Sequence, residues 1–178
     1  MRPLITIGVY EFDLPSFLAA LQAHDVGLLI DVRQRRAVRG ARYAWANARR
    51  LQHALAEAGV AYSHQRDLAP TTELRRVQYA ADERRGEGKR SRTLLDGEYS
   101  ERYTREILDR ADLDALVAEL PADTSSALLC VEADPEACHR SLVAARLHER
   151  YGLPVTHVRP AQLAPATSSS RSPSGSRR

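Results

Sequence analysis

Apolar positions along the chain alternate between short continuous runs and stretches with helical spacing, the pattern of strands feeding helices. Leu4-Ile5-Thr6-Ile7-Gly8-Val9 reads as a strand. Phe12, Leu14, Phe17, Leu18 and Leu21 then recur on one helical face, with Asp13 as the cap, Pro15 tolerated in the first turn and an end near Asp25. Gly27 to Arg33 is a second strand, apolar through Ile30 as a parallel strand buried on both faces is, and ending in charge. A helix from about Ala46 to Ala58 carries Leu51, Ala54, Leu55 and Ala58 on one face and stops at Gly59, and Val60 to His64 is a third strand.

Residues 67–98 are polar and Arg-rich and read as an insertion covering one edge of the sheet, with a helix start at Thr71-Thr72-Glu73-Leu74 and a break at Gly86-Glu87-Gly88. Tyr103, Ile107, Leu108, Leu113, Leu116, Val117 and Leu120 support a helix from about Ser100 to Leu120, with an interruption near Ala111-Asp112 and a stop at Pro121. Ala127 to Glu132 is a further strand. A helix from Pro135 closes at Tyr151-Gly152, and Val155 to Val158 finishes the domain. There is no internal repeat.

This βα succession predicts an α/β fold: a three-layer open sheet, mainly parallel, of about five strands with helices on both faces. Residues 1–160 form one such domain, and residues 161–178 a disordered Ser/Arg/Pro-rich tail. In open parallel sheets the ligand site lies beyond the carboxyl ends of the strands, at the topological switch point. Four strands deliver polar groups to that edge: Tyr10 and Glu11, Asp31 and Arg33, His64 and Arg66, and Cys130 and Glu132.

Composition narrows the class. The 178 residues, 43% hydrophobic and 28% charged, suit a globular chain able to bury its own core. No apolar run approaches the roughly 20 residues needed to span a bilayer. The N-terminus lacks a signal-peptide pattern, so the expected compartment is the cytoplasm, with no membrane partner. The net charge of +3 hides an uneven distribution, because Arg33, Arg35, Arg36, Arg39, Arg42, Arg49 and Arg50 fall within one short segment. Such a run suits an anionic partner, or else a solvated surface.

Two cysteines, Cys130 and Cys138, in a reducing compartment read as chemistry or metal before disulfide. The turn from Asp134 to Ser141 opens a helix whose unpaired N–H groups and dipole would stabilise an anion or a thiolate, with Cys138 or His139 in the first turn and Arg140 beside them. Plainer readings stand alongside. Cys130 and Cys138 can be packing residues, His157 a satisfied core or surface histidine, Asp31 the partner of Arg33, and Glu132 that of Arg140.

Three chemistries can be set against the spacing. Phosphatase-like loops need an arginine shortly after the cysteine, whereas Glu136 stands six residues beyond Cys130. A zinc site from Cys130, Cys138, His139 and either Glu132 or His157 is allowed chemically but lacks the usual closely spaced pairs. Carboxylate acid–base chemistry at Asp31 or Glu132, with Arg33 and Arg140 holding a phosphate or carboxylate, is contradicted by nothing.

The segment Cys130-Val131-Glu132-Ala133-Asp134-Pro135-Glu136-Ala137-Cys138-His139-Arg140 closely resembles the C-x-E-x-x-P-x-x-C-H-R signature of the bacterial and archaeal family called domain of unknown function 488. Thr6-Ile7-Gly8, Asp31-Val32-Arg33, Gly59-Val60-Ala61-Tyr62 and His157 follow that family's pattern in the same order, so the resemblance covers about residues 4–159. It implies a compact α/β domain with a pocket formed by Arg33, Cys130, Glu132, Cys138, His139 and Arg140, and it implies no reaction. Gly8-Val9-Tyr10-Glu11 and Leu68-Ala69-Pro70 depart from the commoner pattern at the presumed rim, so no role carries over to Tyr10 or Leu68.

The leading expectation is an enzyme acting on a phosphate-bearing small molecule or nucleic acid. Glu132, Cys138, His139 and Asp31 would carry the chemistry, and Arg33, Arg39, Arg140 and Tyr10 would hold the substrate. The alternatives are a non-catalytic nucleic-acid-binding or regulatory module using Arg33 to Arg50, and a metal-binding adaptor using Cys130, Cys138, His139 and His157. No cofactor is expected, and the sequence leaves the oligomeric state open.

Overall fold

A computed structural model of the chain describes residues 2–88 and 91–160; the expected disordered tail, residues 161–178, lies outside them. The strands β1 (Leu4–Ile7), β2 (Val26–Asp31), β3 (Ala61–His64), β4 (Ser125–Leu129) and β5 (Val155–His157) form one parallel sheet in the order β3-β2-β4-β1-β5. The three-layer α/β prediction thus holds.

Alternation along the strands builds the two cores. Leu4, Ile30 and Leu128 face a layer containing α4 (Gly97–Tyr103), α5 (Leu113–Ala118) and α6 (Arg140–Tyr151), where Tyr103, Leu116 and Leu147 meet them. Ile5, Leu29 and Ala127 face the opposite layer, closed by Phe17 and Leu21 of α1 (Leu14–Ala23) and Leu51 and Leu55 of α2 (Ala48–Glu57). Each strand that is buried on both faces reads as a continuous apolar run, and so the runs were legible.

Local chemistry sets the boundaries. The Asp13 carboxylate accepts from Ser16 N–H at 2.9 Å and caps α1, as expected. Gly59 and Gly152 take φ of +72° and +68°, the left-handed conformation that lets the chain leave α2 and α6. The helix predicted from Ser100 to Leu120 is broken as anticipated, passing from α4 through a π-helical turn, Thr104–Leu108, before α5. Among the described residues no helix is long and apolar enough to cross a membrane.

Several expectations need correction. β1, β2 and β4 end two or three residues earlier than the apolar runs suggest, because the chains beyond them bend: Val9 and Tyr10 N–H reach the Val131 carbonyl at 3.1 and 2.9 Å. Residues 67–98 are no plain cover for a sheet edge. Thr71 caps α3 (Thr72–Arg84), which lies against α4, and the chain beyond α3 returns towards the end of β4. From Pro135 the chain makes a single 3-10 turn, Pro135–Ala137, and Cys138 is extended at φ −139°, so α6 begins only at Arg140 with His139 at its cap. Cys138 therefore precedes the helix instead of sitting in its first turn.

Gly8, at the exit of β1, has the least room for a side chain among the described glycines. A Cβ there would lie 2.0 Å from the carbonyl oxygen of Glu132. Gly8→Ala must push apart the ends of β1 and β4, and the expected loss is roughly 1–3 kcal/mol, the usual cost of overpacking. Urea unfolding of the variant measures it, and a midpoint equal to that of the parent would refute this account of the close approach.

Candidate functional site

The carboxyl ends of β1, β2 and β4 open onto a cavity of about 670 Å³, a size suited to a small-molecule ligand. Cys130, Glu132, Cys138 and His139 lie along it, and Tyr10, Arg33, Arg35, Arg39, Arg75 and Arg92 are among the other lining residues. β3 contributes neither His64 nor Arg66 to the lining, and Glu11 is absent from it, so three of the four expected strand ends converge.

Three of the expected site residues are used up inside the protein. The Arg33 guanidinium, 2% exposed, clasps Asp31 through Nε at 2.8 Å and Nη2 at 2.7 Å, and its Nη1 donates to the Ala46 carbonyl at 2.9 Å. Tyr62 adds its hydroxyl to Asp31 at 2.7 Å. Burial works against the Arg33 charge, but the hydrogen bonds and charge of Asp31 more than compensate and raise its pKa. Asp31 is fully buried behind this pair and does not line the cavity. Arg140, also fully buried, gives Nη1 to the Glu132 carbonyl at 2.6 Å and Nη2 to that of Ala133 at 2.8 Å. The pairing of Arg33 with Asp31 is the plainer of the two readings the sequence offered, whereas Arg140 holds the Glu132 and Ala133 carbonyls and not, as the plainer reading had it, the Glu132 carboxylate.

The floor is a compact group of donors. The His139 ring lies with Nε2 at 3.0 Å from the Val32 carbonyl, which can only accept, so Nε2 carries hydrogen and Nδ1 faces the sulfurs. Nδ1 stands 3.7 Å from Cys130 Sγ and 3.9 Å from Cys138 Sγ, and Glu132 Oε2 is 3.5 Å from Cys130 Sγ. Tyr103 lies against the His139 ring, with centroids 5.4 Å apart, and ties its own hydroxyl to the Leu68 carbonyl. His157 is elsewhere: it lies beside Thr6, with Nδ1 2.8 Å from the hydroxyl, and takes no part in the cluster. Among the described residues Cys130, Cys138 and His139 are the group able to hold a metal ion.

Electrostatics divide the two thiols. Burial pushes Cys130 well above the ordinary thiol range, and its hydrogen bond to Cys138 and the negative charge there add to the effect. Cys138 falls well below that range: burial opposes its ionisation, but the Cys130 thiol, Arg140 and His139 stabilise the thiolate. Burial also disfavours charge on His139, yet the adjacent Cys138 raises its pKa. Burial, reinforced by Cys138, lifts Glu132 to about 7 against the pull of Arg92.

Arg92 is a cavity-lining residue bonded to Glu132 that sequence reasoning missed. Its Nη2 donates to Glu132 Oε1 at 2.8 Å and its Nη1 to Asp82 at 3.1 Å, and Gln78 holds Asp82 at 2.7 Å. Gln78 and Asp82 share a buried face of α3 with Leu74 and Ala81. Two polar residues four apart on the apolar stripe of a helix were the available signal, since buried polar groups require partners.

The family model described as Domain of unknown function DUF488 matches residues 13–147, and the chain belongs to that family. No curated protein and no solved structure matches it.

Two measurements probe this arrangement. Asp31→Ala strands a buried guanidinium and is expected to cost about 3–5 kcal/mol, whereas a joint Asp31→Leu, Arg33→Met variant recovers much of that loss in denaturant melts. A single variant as stable as the parent would contradict the clamp. In protein stripped of metal, the Glu132 carboxyl followed by NMR should titrate at about 7. Arg92→Met removes the cation that favours its ionised form, so the midpoint must move up; a downward shift would show that Arg92 does not act on Glu132.

Proposed function

We propose that this DUF488 protein is an enzyme acting on a phosphate-bearing substrate, a nucleotide or a nucleic-acid end, bound in the cavity with its reacting group above Glu132. The observation that carries the reading is the division of labour between two sets of arginines around one carboxylate. Arg33 and Arg140 have their guanidinium groups committed to internal partners, and Arg92 positions Glu132. Arg35 and Arg39, both exposed, and Arg75, half-buried, remain at the cavity wall, where guanidinium groups can meet phosphate oxygens bidentately.

Glu132 is the proton carrier in this reading. Its side chain is 17% exposed and braced by Arg92, so one carboxylate oxygen is oriented while the group still borders the cavity. His139 and Cys138 form the polar floor beneath the reacting group, and Tyr10 and Tyr99 flank the space above it. The non-catalytic alternative draws on Arg42, Arg49 and Arg50, which are exposed away from the cavity, but within the run from Arg33 to Arg50 it loses Arg33 to a buried clamp, while Arg35 and Arg39 line the cavity.

The test is a panel of nucleotides, sugar phosphates and short oligonucleotides assayed for binding and turnover. Glu132→Gln is expected to lower kcat about 100- to 10,000-fold, as loss of a positioned acid–base group does, with an unchanged melting profile. Arg39→Ala should raise KM about 10-fold, the loss of one charge-assisted contact. Turnover that persists in Glu132→Gln defeats the assignment. Binding without turnover, with a salt slope of about one log unit per phosphate contact, favours the non-catalytic module instead.

A further inference from the structure

We infer that Cys130, Cys138 and His139 are the protein ligands of a tetrahedral zinc ion whose fourth position opens onto the cavity beside Glu132. The inference deepens the reading above by naming the cofactor of the same site, and rests on it only in taking the cavity floor as the reacting end.

Geometry is the first support. With Zn–S near 2.3 Å and Zn–N near 2.0–2.1 Å, the ligand atoms of a tetrahedral site stand roughly 3.5–3.8 Å apart. His139 Nδ1 lies 3.7 Å from Cys130 Sγ and 3.9 Å from Cys138 Sγ, and all three ligand atoms fall within 4.8 Å of one another. The two nitrogen-to-sulfur distances thus need to change by only a few tenths of an ångström, and the sulfur-to-sulfur distance by no more than about 1 Å, to share one ion.

The second support is independent of those distances. A metal-bound histidine needs its other ring nitrogen engaged, so that the tautomer and ring plane are fixed. His139 meets this condition, because Nε2 points at the Val32 carbonyl at 3.0 Å, presenting Nδ1 to the sulfurs. The backbone supplying that carbonyl lies just past the end of β2, while the sulfurs come from the exit of β4 and the turn before α6. Three separate segments thus build one donor set.

Charge provides the third. Two thiolates buried together are costly, and a dication cancels them, leaving His139 neutral. Glu132 and Arg92 then form a separate neutral pair at 2.8 Å. Two thiolates and one imidazole, with no further protein ligand assigned, match the three-ligand composition of catalytic zinc sites, which keep one position for water or substrate, whereas structural sites close all four. Glu132 stands next to that position, within 3.5 Å of Cys130 Sγ, as a proton acceptor and not as a ligand.

The experiment uses the full chain, purified under reducing conditions and dialysed, with metal content read by mass spectrometry and cobalt substitution followed by visible and near-ultraviolet spectra. A single zinc ion per chain is expected, together with sulfur-to-cobalt charge transfer and tetrahedral d–d bands. Cys138→Ser and His139→Ala should lose the ion, while Glu132→Gln should keep it. Should the ligand variants fail to fold, the cobalt spectrum of the unaltered chain decides. A chain that takes up no zinc and gives only the spectrum of hydrated cobalt overturns the inference, as does undiminished zinc in Cys138→Ser. Retained zinc with no turnover of any phosphate compound removes the function proposed above and leaves the metal site. Turnover in a chain that binds no zinc does the reverse.

Discussion

Everything at the end of β4 depends on the grip of Arg140 on the backbone that precedes it. β4 stops at Leu129, and within the ten residues before Arg140 the chain must leave the sheet, turn through Pro135 and re-enter as α6. Such a loop, close to the centre of the sheet, has partly buried carbonyls that call for donors. A guanidinium supplies two parallel N–H groups from one side chain, and Arg140 spends them on the Glu132 and Ala133 carbonyls. Lysine could not reproduce that fork. The arginine ends the signature because, from the first turn of α6, its side chain folds back across the loop. Gly8 completes the hold from β1, where any side chain would collide with the same Glu132 carbonyl.

The end of β2 solves a similar problem with different chemistry. There Arg33 reaches back to Asp31, two residues earlier, and forward to Ala46, so the strand exit, the 3-10 turn Ala41–Ala46 and, through Tyr62, β3 are fastened to one buried pair. A buried ion pair is weak evidence for stability in general. Here its consequence is placement: Val32, held between the paired residues, presents its carbonyl to His139. The cavity floor is therefore suspended between two arginine clamps whose guanidinium groups face internal partners.

That explains which parts of the molecule were legible in sequence. The strand runs and helical stripes follow from burial alone, so sheet and layers could be read from periodicity, and Asp13, Gly59 and Gly152 marked helix boundaries through local backbone chemistry. Convergence at the strand ends was legible as well, because a parallel sheet puts its carboxyl ends on one edge. The roles were not. Arg33 and Arg140 look identical in sequence to anion-binding arginines, and only the carbonyls and carboxylate they face show otherwise. Arg92, Asp82 and Gln78 sit in a stretch whose polarity reads as solvated surface, and their burial makes sense only once Glu132 needs a cation.

The placement of Arg92 carries one further step. A carboxylate at the end of an apolar strand is disfavoured by burial, and of the signature cations Arg140 is engaged with carbonyls through its Nη atoms while His139 contributes less than Arg92. The main countercharge therefore comes from outside the signature, from the segment following α3. That segment is anchored by Asp82, which grips the same guanidinium at 3.1 Å, so α3, Arg92 and Glu132 form a bridge over one side of the cavity. Any movement of α3 shifts the cation that stabilises the Glu132 charge. A stretch that reads in sequence as a polar insertion thus supplies the largest pull against the burial that raises the Glu132 pKa, so the wall of the site takes part in its acid–base balance.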